Sequence, residues 1–129
     1  MLLLEREAQP GYHATGRSAA LFLASYGPPA VRALTRASLD FYEHPPAGFA
    51  NTALLKPRGA LYLASLGQQA LLDQLKQELA PSCPRLELLD AAQTLARVPG
   101  LRPEIILGAL YDPDAQDMDV HAIHQGFLR

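Results

Sequence analysis

An α/β fold, passing into α+β in its middle, is what this sequence predicts, and three observations carry the prediction. Leu2, Leu3 and Leu4 form an uninterrupted apolar run closed by Glu5 and Arg6, as in a strand buried on both faces of a parallel sheet. Leu71, Leu72, Leu75 and Leu79 recur at helical spacing within residues 67–80. Residues 60–64, Ala-Leu-Tyr-Leu-Ala, alternate in side-chain type well enough for a strand, and residues 104–111 are rich in Ile and Leu.

The remaining elements follow in order. Residues 8–16 hold Pro10, Gly11 and Gly16 and predict turns, and residues 18–25 are small and apolar enough for a helix. Gly27 and Pro28 stop that segment, and Pro29 suits the first turn of a second helix. In that helix Val31, Leu34, Ser38, Phe41 and Tyr42 share one face, which leaves Arg32 and Arg36 on a solvated side. Pro45 and Pro46 end it, and residues 44–59 read as a loop. The long helix over 67–80 ends at Pro81 and Pro84. Residues 86–89 predict a short strand, and Asp90 with Gln93 a capping box that opens a brief helix closed by Pro99 and Gly100. Asp119 is placed to cap a last helix over 120–129.

With 129 residues, of which 49% are hydrophobic, the chain has material for a core of single-domain size. A net charge of −2 supplies no general attraction to nucleic acid or anionic lipid, so a small-molecule or protein partner is expected. The apolar run at residues 2–4 is far too short to span a membrane. The lone Cys83 has no second cysteine for a disulfide, which suits a reduced, cytoplasmic setting.

Two metal readings fail on spacing. An EF-hand register begun at Asp112 puts Asp117 where glycine is required and Ile123 where the bidentate Glu belongs, so Asp112, Asp114, Asp117 and Asp119 are expected to cap or solvate loops. His121 and His124 have no third ligand spaced to join them. No metal is expected.

The segment richest in chemistry is residues 2–26. A carboxylate at a strand tip, Glu5, can accept hydrogen bonds from ribose hydroxyls. The small-residue stretch Ala14-Thr15-Gly16-Arg17-Ser18-Ala19-Ala20-Leu21 offers backbone N–H groups, hydroxyls and a cation to a pyrophosphate. In order and spacing, Glu5-Arg6-Glu7, Gly11 and His13 to Ala20 resemble the second strand and following loop of FAD-dependent D-amino-acid oxidases and dehydrogenases. The resemblance is closest to the D-arginine dehydrogenase-like branch and extends loosely over the whole chain.

This resemblance implies a partial Rossmann-like FAD domain joined to part of a substrate domain. Residues 1–27 would be FAD-domain remnant, 28–111 a substrate lobe, and 112–129 a return helix. It implies that Glu5 binds the adenosine ribose, Arg6 packs near the adenosine, and residues 14–21 wrap the pyrophosphate and approach the isoalloxazine. Tyr26 would sit on a mobile loop over a D-amino acid or related amine, whose α-carbon passes hydride to flavin N5. His13 would position its turn. Leu21 and Ala60 stand where a cationic substrate would need polar partners, so a less polar side chain is expected. No G-x-G-x-x-G occurs in the chain, and the family's later half has no counterpart here. The chain is therefore expected to be a fragment, inactive alone, with association through apolar surface left exposed. The rival expectation is a non-enzymatic protein-interaction module.

Overall fold

The computed structural model describes residues 4–129, so the strand predicted at residues 2–4 lies outside the described residues except for Leu4. Mixed α/β architecture is what the described chain adopts, in two three-stranded antiparallel sheets with helices around them.

The larger sheet holds the core. β3 (Ala60–Ser65) and β4 (Glu87–Asp90) flank β5 (Ile106–Asp112) in the order β3-β5-β4. β5 is paired on both edges, and Ile106, Gly108, Ala109, Leu110 and Asp112 are buried along it. Gly108 is required there, because a Cβ would collide with the Leu89 carbonyl oxygen of β4. The helix predicted over 67–80 forms as α3 (Gln69–Leu79) and lays Leu72 and Leu79 against Ala64 and Leu110, while Leu71 faces solvent. The capping box also forms: Asp90 Oδ1 accepts from the Gln93 N–H, and Gln93 Oε1 accepts from the Asp90 N–H, opening α4 (Ala91–Arg97).

The smaller sheet has the order β1-β6-β2, from β1 (Leu21–Phe22), β6 (Gln116–Met118) and β2 (Leu55–Pro57). The helix expected over 18–25 is absent. Ala20 takes the left-handed φ of 54°, which an α-helix cannot continue through, and its carbonyl accepts the Met118 N–H at 2.7 Å. β2 likewise replaces part of the loop expected over 44–59.

The second predicted helix is broken in two, α1 (Pro29–Ala37) and α2 (Leu39–Glu43). The hinge is Ser38, whose hydroxyl donates back to the Leu34 carbonyl at 2.9 Å, a bond that bends helices. The polarity of α1 is the reverse of the expectation: Leu34 is exposed and Arg32 is buried. Helical spacing says which side chains share a face, and only tertiary packing decides which face turns inward. α5 (Val120–Leu128) closes the chain, capped by Asp119 Oδ1 on the Ala122 N–H at 2.8 Å. No helix among the described residues is long and apolar enough to cross a membrane.

Candidate functional site

Glu5 and Arg6 lie exposed ahead of the first turn. Glu5 Oε1 accepts the backbone N–H groups of Arg6 at 2.7 Å and Glu7 at 3.0 Å. These donors, Glu7 first and Arg6 second, hold its carboxyl below the usual range, so it is an ionised acceptor at neutral pH. Arg6 pairs at 3.4 Å with Glu7, which also meets His13 at 3.3 Å.

Residues 8–18 form a run of turns seated on α5. Gly11, at φ 75°, lies so close to the His124 ring that a Cβ would approach Cε1 to 2.9 Å. The N–H groups of Gly16, Arg17 and Ser18 donate to the carbonyls of Gly11, His13 and Thr15. Those three donors are spent inside the loop, leaving the Thr15 and Ser18 hydroxyls and the Arg17 guanidinium as its outward polar groups. Thr15, Gly16 and Arg17 form one wall of a cleft of about 290 Å³, and Val120, His121 and His124 of α5 form the other. Arg17 also lies over the Tyr12 ring, 5.3 Å from its centroid. Ala14 and Ser18 are on the exposed surface of the loop, and Ala19 and Ala20 lead into β1.

Past β1 the same loop borders a second, larger space. Ala19, Leu21 and Tyr26 line a groove of about 860 Å³ whose other walls include Val31, Leu34 and Met118. Tyr26 is 68% exposed there. The structure thus brings Ala19, Leu21 and Tyr26 together, groups Thr15, Gly16 and Arg17 at a separate cleft, and places Glu5, Arg6 and Ala60 on neither.

Beside Tyr26 lies a polar cluster that sequence reasoning missed. Asp112, expected to solvate a loop, is fully buried; its Oδ2 accepts from Ser25 Oγ at 2.5 Å and its Oδ1 from the Asp114 N–H at 3.0 Å. Ser25 has one hydroxyl proton and gives it to Asp112, so the Tyr62 hydroxyl, 2.8 Å away, donates to Ser25. Burial pushes the Tyr62 phenol pKa above its usual value, the Ser25 hydrogen bond opposes that, and the Asp112 charge adds to it. Arg32 Nη1 donates to the Gly27 carbonyl at 2.8 Å and to Glu78 Oε1 at 2.7 Å. One signal for Asp112 was in the sequence: at alternate spacing from Ile106, Gly108 and Leu110, it takes the buried parity of its strand. Of the other acids, Asp114 pairs with Arg85, Asp117 with Arg58, and Asp119 caps α5.

The family model described as FAD dependent oxidoreductase matches residues 1–129. Because that match runs the length of the chain, the chain belongs to the FAD dependent oxidoreductase family.

Proposed function

We propose that this chain supplies the flavin-loop and substrate-facing part of an oxidoreductase that acts on a D-amino acid or related amine, of the D-arginine dehydrogenase-like branch but with a less polar substrate side chain. The observation that carries the reading is the shared groove of Ala19, Leu21 and Tyr26. At about 860 Å³ its volume lies within the roughly 300–1,000 Å³ of small-molecule sites.

The residues suit FAD on three counts. Glu5 is ionised and keeps Oε2 available to ribose hydroxyls. Arg17, with the Thr15 hydroxyl, brings a cation to the smaller cleft, where a pyrophosphate needs one. Leu21 and Ala19 offer an apolar wall for a flat ring. Arg6 stands beside Glu5 at the adenosine end. Bound FAD supplies the acceptor for hydride from the substrate α-carbon.

The protein's part is placement. Tyr26 presents a phenol for stacking or hydrogen bonding, while Leu21, Val31 and Leu34 give the groove apolar walls that disfavour an uncompensated cationic side chain. The N–H groups of Gly16, Arg17 and Ser18 are committed inside the loop, so side chains carry a larger share of phosphate binding and weak flavin affinity is expected of the isolated chain. Turnover is not expected from it alone.

Titrating FAD into the purified chain while recording visible absorbance tests the proposal. A saturable change in the flavin bands is expected. A folded, colourless chain whose spectrum with FAD equals the sum of its parts would overturn it.

A further inference from the structure

The resemblance implied a mobile Tyr26 loop, yet the backbone on both sides of Tyr26 is tied to other elements. On one side Ser25, itself buried, is held by Asp112 at the end of β5 and by Tyr62 of β3. On the other, the Gly27 carbonyl is held by the buried Arg32, which reaches across to Glu78 of α3. A third contact lies within the turn, from the Tyr26 N–H to the Leu23 carbonyl at 3.2 Å. The Ser25–Asp112 tie is buried and the Arg32–Gly27 tie partly buried, so water competes less for either than it would at the surface. The Tyr26 side chain, largely exposed, lines the groove beside this arrangement.

We propose that Ser25, Asp112 and Arg32 are positioning residues that clamp the Tyr26 turn from both flanks, so that its phenol adapts to the substrate by side-chain rotation over a fixed backbone. That assignment rests on the proposed role of Tyr26 at the substrate. A fixed backbone limits the ordering cost of binding to the side-chain torsions of one tyrosine. Either tie alone leaves one end of the turn free. With both, the Cα of Tyr26 keeps its place relative to Leu21 across the groove.

The chain has no tryptophan, so Tyr26→Trp installs a single fluorescent reporter at the turn. Its nanosecond anisotropy decay, recorded without FAD, should follow overall tumbling after a small fast phase. Adding Ser25→Ala or Arg32→Gln should raise the fast-phase amplitude about twofold by releasing segmental motion. Thr94→Val, a buried change in α4, should leave it unaltered. A large segmental phase already present in Tyr26→Trp, or equal amplitudes in all the variants, would overturn the clamp. Should the two buried variants lose their far-UV circular dichroism, Glu78→Ala decides, because that side chain is half exposed; an unchanged amplitude there counts against the proposal. Quenching of the same tryptophan by added FAD reads the functional proposal separately. No quenching with an intact slow decay removes the flavin assignment and leaves the clamp, whereas quenching with a large fast phase does the reverse.

Discussion

Ser25 Oγ donates to Asp112 Oδ2 at 2.5 Å, joining two residues 87 positions apart in a bond buried from water. Ser25→Ala removes a donor from a buried carboxylate and leaves the Tyr62 hydroxyl without its acceptor. A loss of about 1.5–3 kcal/mol is expected from two such unsatisfied groups. Urea unfolding of the two proteins measures it, and equal midpoints would show that the bond contributes nothing.

Arg32 and Glu78 differ in their surroundings, so their substitutions should differ in effect. Arg32→Met strands the Gly27 carbonyl, and a loss of about 1–2 kcal/mol is expected. Glu78→Gln keeps an acceptor on a half-exposed side chain and should cost less than about 1 kcal/mol. A double-mutant cycle by chemical denaturation checks both; equal costs would contradict the burial difference.

Leu79 and Leu71 lie on one helix and separate core from surface. Leu79→Ala empties a fully buried site against Leu110 and should cost about 2–5 kcal/mol. Leu71→Ala, at an exposed position, should stay within about 0.5 kcal/mol. Thermal unfolding ranks the two, and a larger loss at Leu71 would mean that α3 packs by its other face.

Alkaline stability should report on Tyr62. Its folded pKa is raised above the usual 10.0, chiefly by burial, so near and above that pH the unfolded chain binds fewer protons than the folded one. The contribution is complete below the unfolded pKa and is lost as pH rises through the folded pKa. Tyr62→Phe should flatten the decline of unfolding free energy with pH above about 10 while lowering stability near neutrality by about 1 kcal/mol through the lost bond to Ser25. An unchanged alkaline slope would contradict the assignment.

Where local chemistry decides an element, the sequence was legible. The Asp90–Gln93 capping box and the Asp119 cap formed as read, because each rests on neighbours within a turn, and the helix α3 formed with Leu72 and Leu79 buried but Leu71 of its leucine stripe turned to solvent. The strands β1, β2 and β6 have two or three residues each, too few for periodicity, and exist because β6 pairs with both others across long separations. Residues 18–25 therefore looked helical by composition and became the two-residue strand β1 followed by a turn, after the left-handed Ala20. Helical spacing put Arg32 on the solvated side of its helix, but its partners, Gly27 in the preceding turn and Glu78 of α3, draw it inward. Leu21 and Tyr26, singled out by resemblance, do border one groove, while the ties beside Tyr26 come from Tyr62 of β3, Asp112 of β5 and Arg32 of α1, of which only Arg32 lies near it in sequence.

The proposed function turns on contact between the flavin and the wall formed by Leu21. Flavin fluorescence titrated with the parent chain, with Leu21→Asp and with Leu71→Asp tests it most directly, since Leu71 is exposed outside the groove. Saturable quenching is expected from the parent and from Leu71→Asp, with affinity lowered about tenfold, near 1.4 kcal/mol, in Leu21→Asp. Titrations in which the two variants cannot be told apart would contradict it.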